Sequence, residues 1–158
     1  MVNATPGSVY GDNARLYYST DVASGGTFSG TLVHADCVIE DTVNDERRQS
    51  DVVYRGATDI AVHVGKRKVT ISGTMMTLVG TPGAAYTALR AAYLAKTLLH
   101  FAAATGDITE VGCQYTRFEG KIISWNESRP DNGNVTVSFE VAKDPGTTYA
   151  TTSGVIAS

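Results

Sequence analysis

The sequence predicts an α+β fold, mainly β: an antiparallel β-sandwich or small barrel with one flanking helix over about residues 82–105 and a long projecting loop. Three observations carry this. First, two stretches alternate apolar and polar residues with the period of a half-buried strand. In one, Val69, Ile71, Gly73 and Met75 face one way and Lys68, Thr70, Ser72 and Thr74 the other. In the second, Val135, Val137, Phe139 and Val141 oppose Thr136, Ser138 and Glu140. Next, a single alanine-rich stretch of strong helix formers lies between them. Last, a dense charge cluster, DERRQSDVVYRG at 45–56, sits inside the strand-forming first half. A chain of 158 residues is long enough for one domain with a real core. The domain is expected to span 1–158, with polar arms at 1–12 and 147–158 that lie outside the core and become ordered against neighbours.

ARLYYST near the start reads as a short strand, and TLVHADCVIE at 31–40 as a second. After the charge cluster the alternating run ends at Gly80. Thr81 is placed to cap the helix, Pro82 suits its first position, and Gly106 is a natural stop. The helix is apolar around more than half its circumference. That predicts packing on the sheet on one side and on a neighbouring subunit on the other. GCQYTRFEGKIISWNE then reads as one strand or a bulged pair, with Gly120 the expected bulge or bend. Asn132-Gly133 is a strong hairpin signal leading into the second alternating strand.

Composition narrows the function. The net charge of −3 argues against a basic nucleic-acid-binding face. Charged residues are 18%, below the usual share of about 25%, which fits a surface partly covered by something else. No apolar run is long enough for a membrane helix, and the first residues show no secretory pattern, so no membrane partner is expected. Cys37 and Cys113 lie far apart in sequence; a disulfide is one reading, and two reduced, core-type thiols are the plainer one. The three glycosylation sequons, at Asn3, Asn126 and Asn134, carry little weight without a secretory signal.

No catalytic signature emerges, so the chain is expected not to be an enzyme and to carry no cofactor or metal. GTPGAAY has glycines before a helix but lacks the Lys-Ser or Lys-Thr of a phosphate loop. In HADC, His34 and Cys37 point to opposite faces of a strand, which is poor zinc geometry. His63 and His100 are isolated. GKRK at 65–68 reads as a solvated strand start. Trp125 with Tyr115 and Phe118 leaves one alternative, a monomeric carbohydrate-binding type of β-sandwich module, although core packing is the plainer account.

The order of segments resembles the tail tube (major tail) proteins of long-tailed bacteriophages and closely related phage-like tube proteins. The matching stretches are ARLYYST, DVVYRG after a charged loop, RKVTISGTMM, AYTALRAAYLAKTLLHFAAATGD and IISWNESRPDNGNVTVSFEVAKDP, from Ala14 to Pro145. The chain departs from the pattern in DVASGGTFSG and in its alanine-rich helix. The resemblance implies a sandwich with a flanking helix whose subunits form six-fold rings, stacked into a tube that carries DNA as non-specific passing cargo. It implies further tail proteins as partners, such as a tape measure and a tail terminator. The place of action would be the virion tail, after assembly in the bacterial host cytoplasm. It also implies that the loop within 40–55 docks on the adjacent ring, with Asp41, Asp45, Glu46, Arg47, Arg48, Asp51 and Arg55 at the contact. Mixed signs suit a contact that must set register.

Overall fold

The computed structural model describes residues 15–21, 28–52, 61–78, 80–130, 133–147 and 149–158. Its elements, in chain order, are β1 (Arg15–Ser19), β2 (Val33–His34), β3 (Val38–Val52), β4 (Ala61–Leu78), α1 (Ala84–Ala95), β5 (Leu99–Ala104), β6 (Gln114–Ser128), β7 (Asn134–Lys143) and β8 (Thr152–Val155). All pairings are antiparallel, and the strands run in the order β2-β1-β5-β6-β7-β4-β3, with β8 added beside β6.

This order dictates the shape. β2 and β3 end the path, yet only residues 35–37 join them. The sheet must therefore curl until its ends nearly meet. The short joint is fixed by the Ala35 N–H donating to Leu16 O (2.8 Å) and the Met76 N–H donating to Cys37 O (3.0 Å). The two expected layers are halves of one folded-over sheet, and the path is not a closed barrel. The expected strand at 31–40 is accordingly broken at a buried Ala35, because the chain has to cross from one end of the sheet to the other there.

The core lies between the halves and under α1. Leu16, Phe101 and Phe118 meet Ile71, Met75, Val137 and Val141, and Ala85, Leu89 and Ala92 supply the helix face. The predicted inward sets of both alternating strands are buried, apart from a half-buried Gly73. Gly73 has its own reason: a Cβ there would stand 2.6 Å from the Phe139 ring. Gly120 is not the bulge of β6. The register shift falls between Ile122 and Ser124, while Gly120 allows close strand approach, since a Cβ would lie 2.2 Å from Ala142 O.

Three expectations need correction. α1 is Ala84–Ala95, not 82–105. Lys96 adopts the left-handed conformation (φ 55°), its N–H turns back to Ala92 O and Tyr93 O, and the chain leaves the helix axis. LHFAAA then forms β5, buried on both faces between β1 and β6. A central sheet position outweighs the helix preference of alanine, and the small side chains let a second layer pack closely. At the other end, Gly83 is the N-cap and no side chain caps the helix, Thr81 included; the Thr77 hydroxyl accepts from the Gly83 N–H at 2.9 Å.

The last correction concerns the C-terminal arm, which belongs to its own sheet. β7 pairs with β6 only from Gly120 onward, so the first residues of β6 have a vacant edge, and β8 takes it from Gln114↔Val155 to Arg117↔Thr152. Tyr149 is buried, and Ile156 packs with Tyr17, Ala102 and Cys113 in a second apolar cluster outside the sheet. Strand pairing needs no alternating apolar pattern when the backbone ladder and two anchors suffice. The arm at 1–12 lies outside the described residues.

Candidate assembly surface

The charged stretch and GKRK turn out to be two sides of one ribbon. β3 and β4 pair from Val38↔Met75 to Val52↔Ala61, but β7 accompanies β4 only over Thr70–Leu78. Beyond Val69 the hairpin runs on as two strands. At about 3.3 Å per residue the extension reaches roughly 25 Å past the sheet. Glu46 stands opposite Lys68, and Arg47 opposite Arg67. The like-charged Arg47–Arg67 juxtaposition is relieved diagonally. The Arg67 guanidinium donates from Nε to Asp45 Oδ1 at 2.8 Å and pairs its Nη2 with Oδ2, and this holds the Asp45 carboxyl below the usual range. Arg67 also reaches Ser153 of β8 at 3.3 Å, which ties the base of the arm to the C-terminal strand.

The seven expected contact residues divide on this geometry. Asp45, Glu46, Arg47 and Arg48 are exposed on the arm. Asp51 is in β3 opposite Val62. Arg55 lies outside the described residues. Asp41 is elsewhere: it sits on the sheet proper opposite Gly73, half-buried, where burial raises its carboxyl pKa. With Val43, Ala103, Thr116 and Ser153 it lines a cleft of about 550 Å³. β3 is also the end strand of the sheet, so it presents a long unpaired backbone edge among the described residues. Such an edge is a template for association unless it is covered.

The aromatic platform of the sugar-binding alternative is already engaged. Trp125 stacks on Tyr93 at 5.9 Å and lies against Tyr86, both on α1. Its Nε1 donates to Glu127 Oε1 at 2.8 Å, and the Tyr86 hydroxyl donates to the same oxygen at 2.7 Å. Arg129 and Arg90 pair with this carboxylate too. Burial opposes ionisation of Glu127, but the Trp125, Tyr86 and Arg129 hydrogen bonds and the Arg129 charge outweigh it and pull the pKa down to about 2. The cluster fastens the helix to β6. Phe118 is in the core, and Tyr115 packs against the second apolar cluster.

A polar cluster holds the C-terminal arm. His100 and Glu119 are opposite residues of β5 and β6, both buried. Arg117 Nε donates to His100 Nε2 at 3.2 Å, so the imidazole proton is on Nδ1, which faces Glu119 Oε2 at 3.7 Å. Thr147 donates to Glu119 Oε1 at 2.6 Å, Phe28 stacks on His100 and Tyr149 meets it edge-on. Burial, and then the Arg117 charge, lower the His100 pKa to about 4 against the opposing pull of Glu119. None of this could be read from an isolated histidine in the sequence. The only hint was that His100 falls within a run of apolar residues. Among the described residues no group of three metal-binding side chains occurs, and both cysteines are free thiols.

The fold is that of a phage tail tube protein. No protein-family model matches the chain, and no curated protein matches it. Solved structures do. The SPP1 tail tube superposes with a TM-score of 0.69 at 13% identity, covering 94% of this chain and 80% of that one. A chain of a native gene transfer agent virion gives 0.63 at 12% identity, over 93% of this chain and 98% of that one. One from the tail of an empty gene transfer agent particle, refined with C6 symmetry, gives 0.62 at 14% identity, over 98% and 100%. An anti-feeding prophage baseplate chain gives 0.56 at 6% identity, over 99% and 97%.

Proposed function

We propose that this chain is a structural, self-assembling subunit of a tail tube, forming stacked six-membered rings through which DNA passes. The observation that carries the reading is the hairpin arm on a tail-tube fold. A two-stranded ribbon is marginal in water by itself, and this one extends well past the third strand with its described side chains exposed except for a half-buried Arg67. It gains stability by lying on another subunit. Asp45, Glu46, Arg47, Arg48, Asp51 and Arg55 make that contact with the adjacent ring, while Asp41 lies at the base of the arm. Tape-measure and terminator proteins are the further partners. The subunit acts in the virion tail after assembly in the bacterial host cytoplasm, and does no catalysis. Negative-stain microscopy of the purified protein, at rising concentration, tests this. Rings or tubes are expected. A protein that stays monomeric at millimolar concentration overturns the reading.

A further inference from the structure

Two exposed apolar patches lie at opposite ends of β5. At its start, where α1 ends, Tyr93, Leu94, Ile122 and Ile123 line an open recess of about 530 Å³ bordered by Lys96 and Lys121. Leu94 is 65% exposed and Ile123 56%. Asp144 engages Lys121 at 3.0 Å, whereas Lys96 makes no ion pair among the described residues. At the far end, the connection from β5 to β6 raises Val111, 66% exposed, beside Glu110. This knob is shaped by its own backbone: the Glu110 N–H donates to Asp107 O (3.0 Å), the Cys113 N–H to Glu110 O (3.2 Å), and Gly112 takes a positive φ of 90°. Arg15 holds Asp107 at 3.5 Å, while Glu110 makes no ion pair among the described residues.

We propose that these two patches meet between copies of this chain: Val111 of one copy enters the Leu94–Ile123 recess of the next, with Glu110 against Lys96. The inference rests on the self-assembly reading above and names a contact within it. Each patch carries one apolar projection or recess and one charge that makes no ion pair among the described residues, and the charges are opposite in sign, so the two complement each other. Neither complements itself. The contact is therefore heterologous, repeating from copy to copy instead of closing as a symmetric pair. The patches stand roughly 20 Å apart along the six residues of β5. A copy added at one end leaves the same patch free at the other.

A charge exchange within one chain tests it. Lys96→Glu alone and Glu110→Lys alone each set like charges against one another. Each should raise the concentration at which assembly begins, measured by sedimentation velocity, roughly tenfold. The double exchange, in the same chain, restores opposite charges at every contact and should return assembly to within about threefold of the parent. Val111→Ser should weaken assembly without changing its salt dependence. Circular dichroism and melting of the monomer check that each variant is folded. Single exchanges without effect, or a double exchange as poor as the two losses combined, overturn this contact. If the parent forms tubes in that experiment, the self-assembly reading stands while the contact falls. If the parent forms none, both fall.

Discussion

The β1-β5-β6 region and the distal β3-β4 arm are both antiparallel strands, yet they are held in opposite ways. Every residue of β5 is buried, with Leu99, Phe101 and Ala103 in the main core and Ala102 and Ala104 in the outer cluster. On the arm, residues 44–49 are all exposed, and apart from the Arg67–Ser153 hydrogen bond at its base the strands pair with each other. In the first region the subunit's own packing determines the structure. In the second the ladder and a few charges suffice to preserve register, and the energy of holding the arm in place is left to a partner. The contrast predicts that substitutions in the first region act on folding and those in the second on assembly.

The largest effect is expected in the buried half. Phe118→Ala should lower the unfolding free energy by about 4 kcal/mol, since it removes a fully buried ring and leaves a cavity among Phe101 and its neighbours. Chemical denaturation of the monomer measures this. A loss under 1 kcal/mol would show that the two faces of β5 and β6 are not the packed centre.

His100 belongs to the same region and makes its stability depend on pH. The folded state resists a proton that the unfolded chain accepts near 6.5, because burial and Arg117 disfavour the imidazolium. The contribution is complete above pH 6.5 and is lost as pH falls toward 4, by roughly 3 kcal/mol at most. Denaturation curves between pH 7 and pH 4 should show this slope, and His100→Gln should flatten it. The C-terminal arm, pinned by Thr147 and Tyr149 to this cluster, should lose hydrogen-exchange protection over the same interval.

Glu127→Gln comes next. It removes the charge that Arg129 and Arg90 share and weakens the acceptor for Trp125 and Tyr86. A loss of about 2 kcal/mol is expected, together with a change in Trp125 fluorescence as α1 loosens. Unchanged fluorescence would place the helix's hold in Ala85, Leu89 and Ala92 alone.

The smallest effect on the monomer should come from the arm. Replacing both Arg47 and Arg48 by Glu should change its melting by less than about 0.5 kcal/mol, because exposed charges contribute little. The same variant should assemble poorly and become more sensitive to salt. Assembly equal to the parent would reduce the arm to a solvated hairpin and abolish the contrast drawn above.

By itself, the sequence determined the parts whose cause is local. Alternation identified the inward faces of β4 and β7, and the Asn132-Gly133 signal announced the β6–β7 hairpin. The order of segments was enough to point to a tube-like fold. The acids before residue 52 and the bases at 65–68 are partners across one ladder and not separate loops, a relation no local pattern shows. The tertiary structure alone decided the rest. LHFAAA is helical by propensity and a strand by position, since both its faces are needed in the interior. The C-terminal arm is polar by composition and a strand by opportunity, since β7 leaves the first residues of β6 unpaired. His100 and Glu119 became a buried pair because β5 and β6 align them and Thr147 and Tyr149 close over them. These outcomes depend on what lies across the sheet, tens of residues away in the chain. No local pattern records that, because a side chain's cost of burial is set by its neighbours in space.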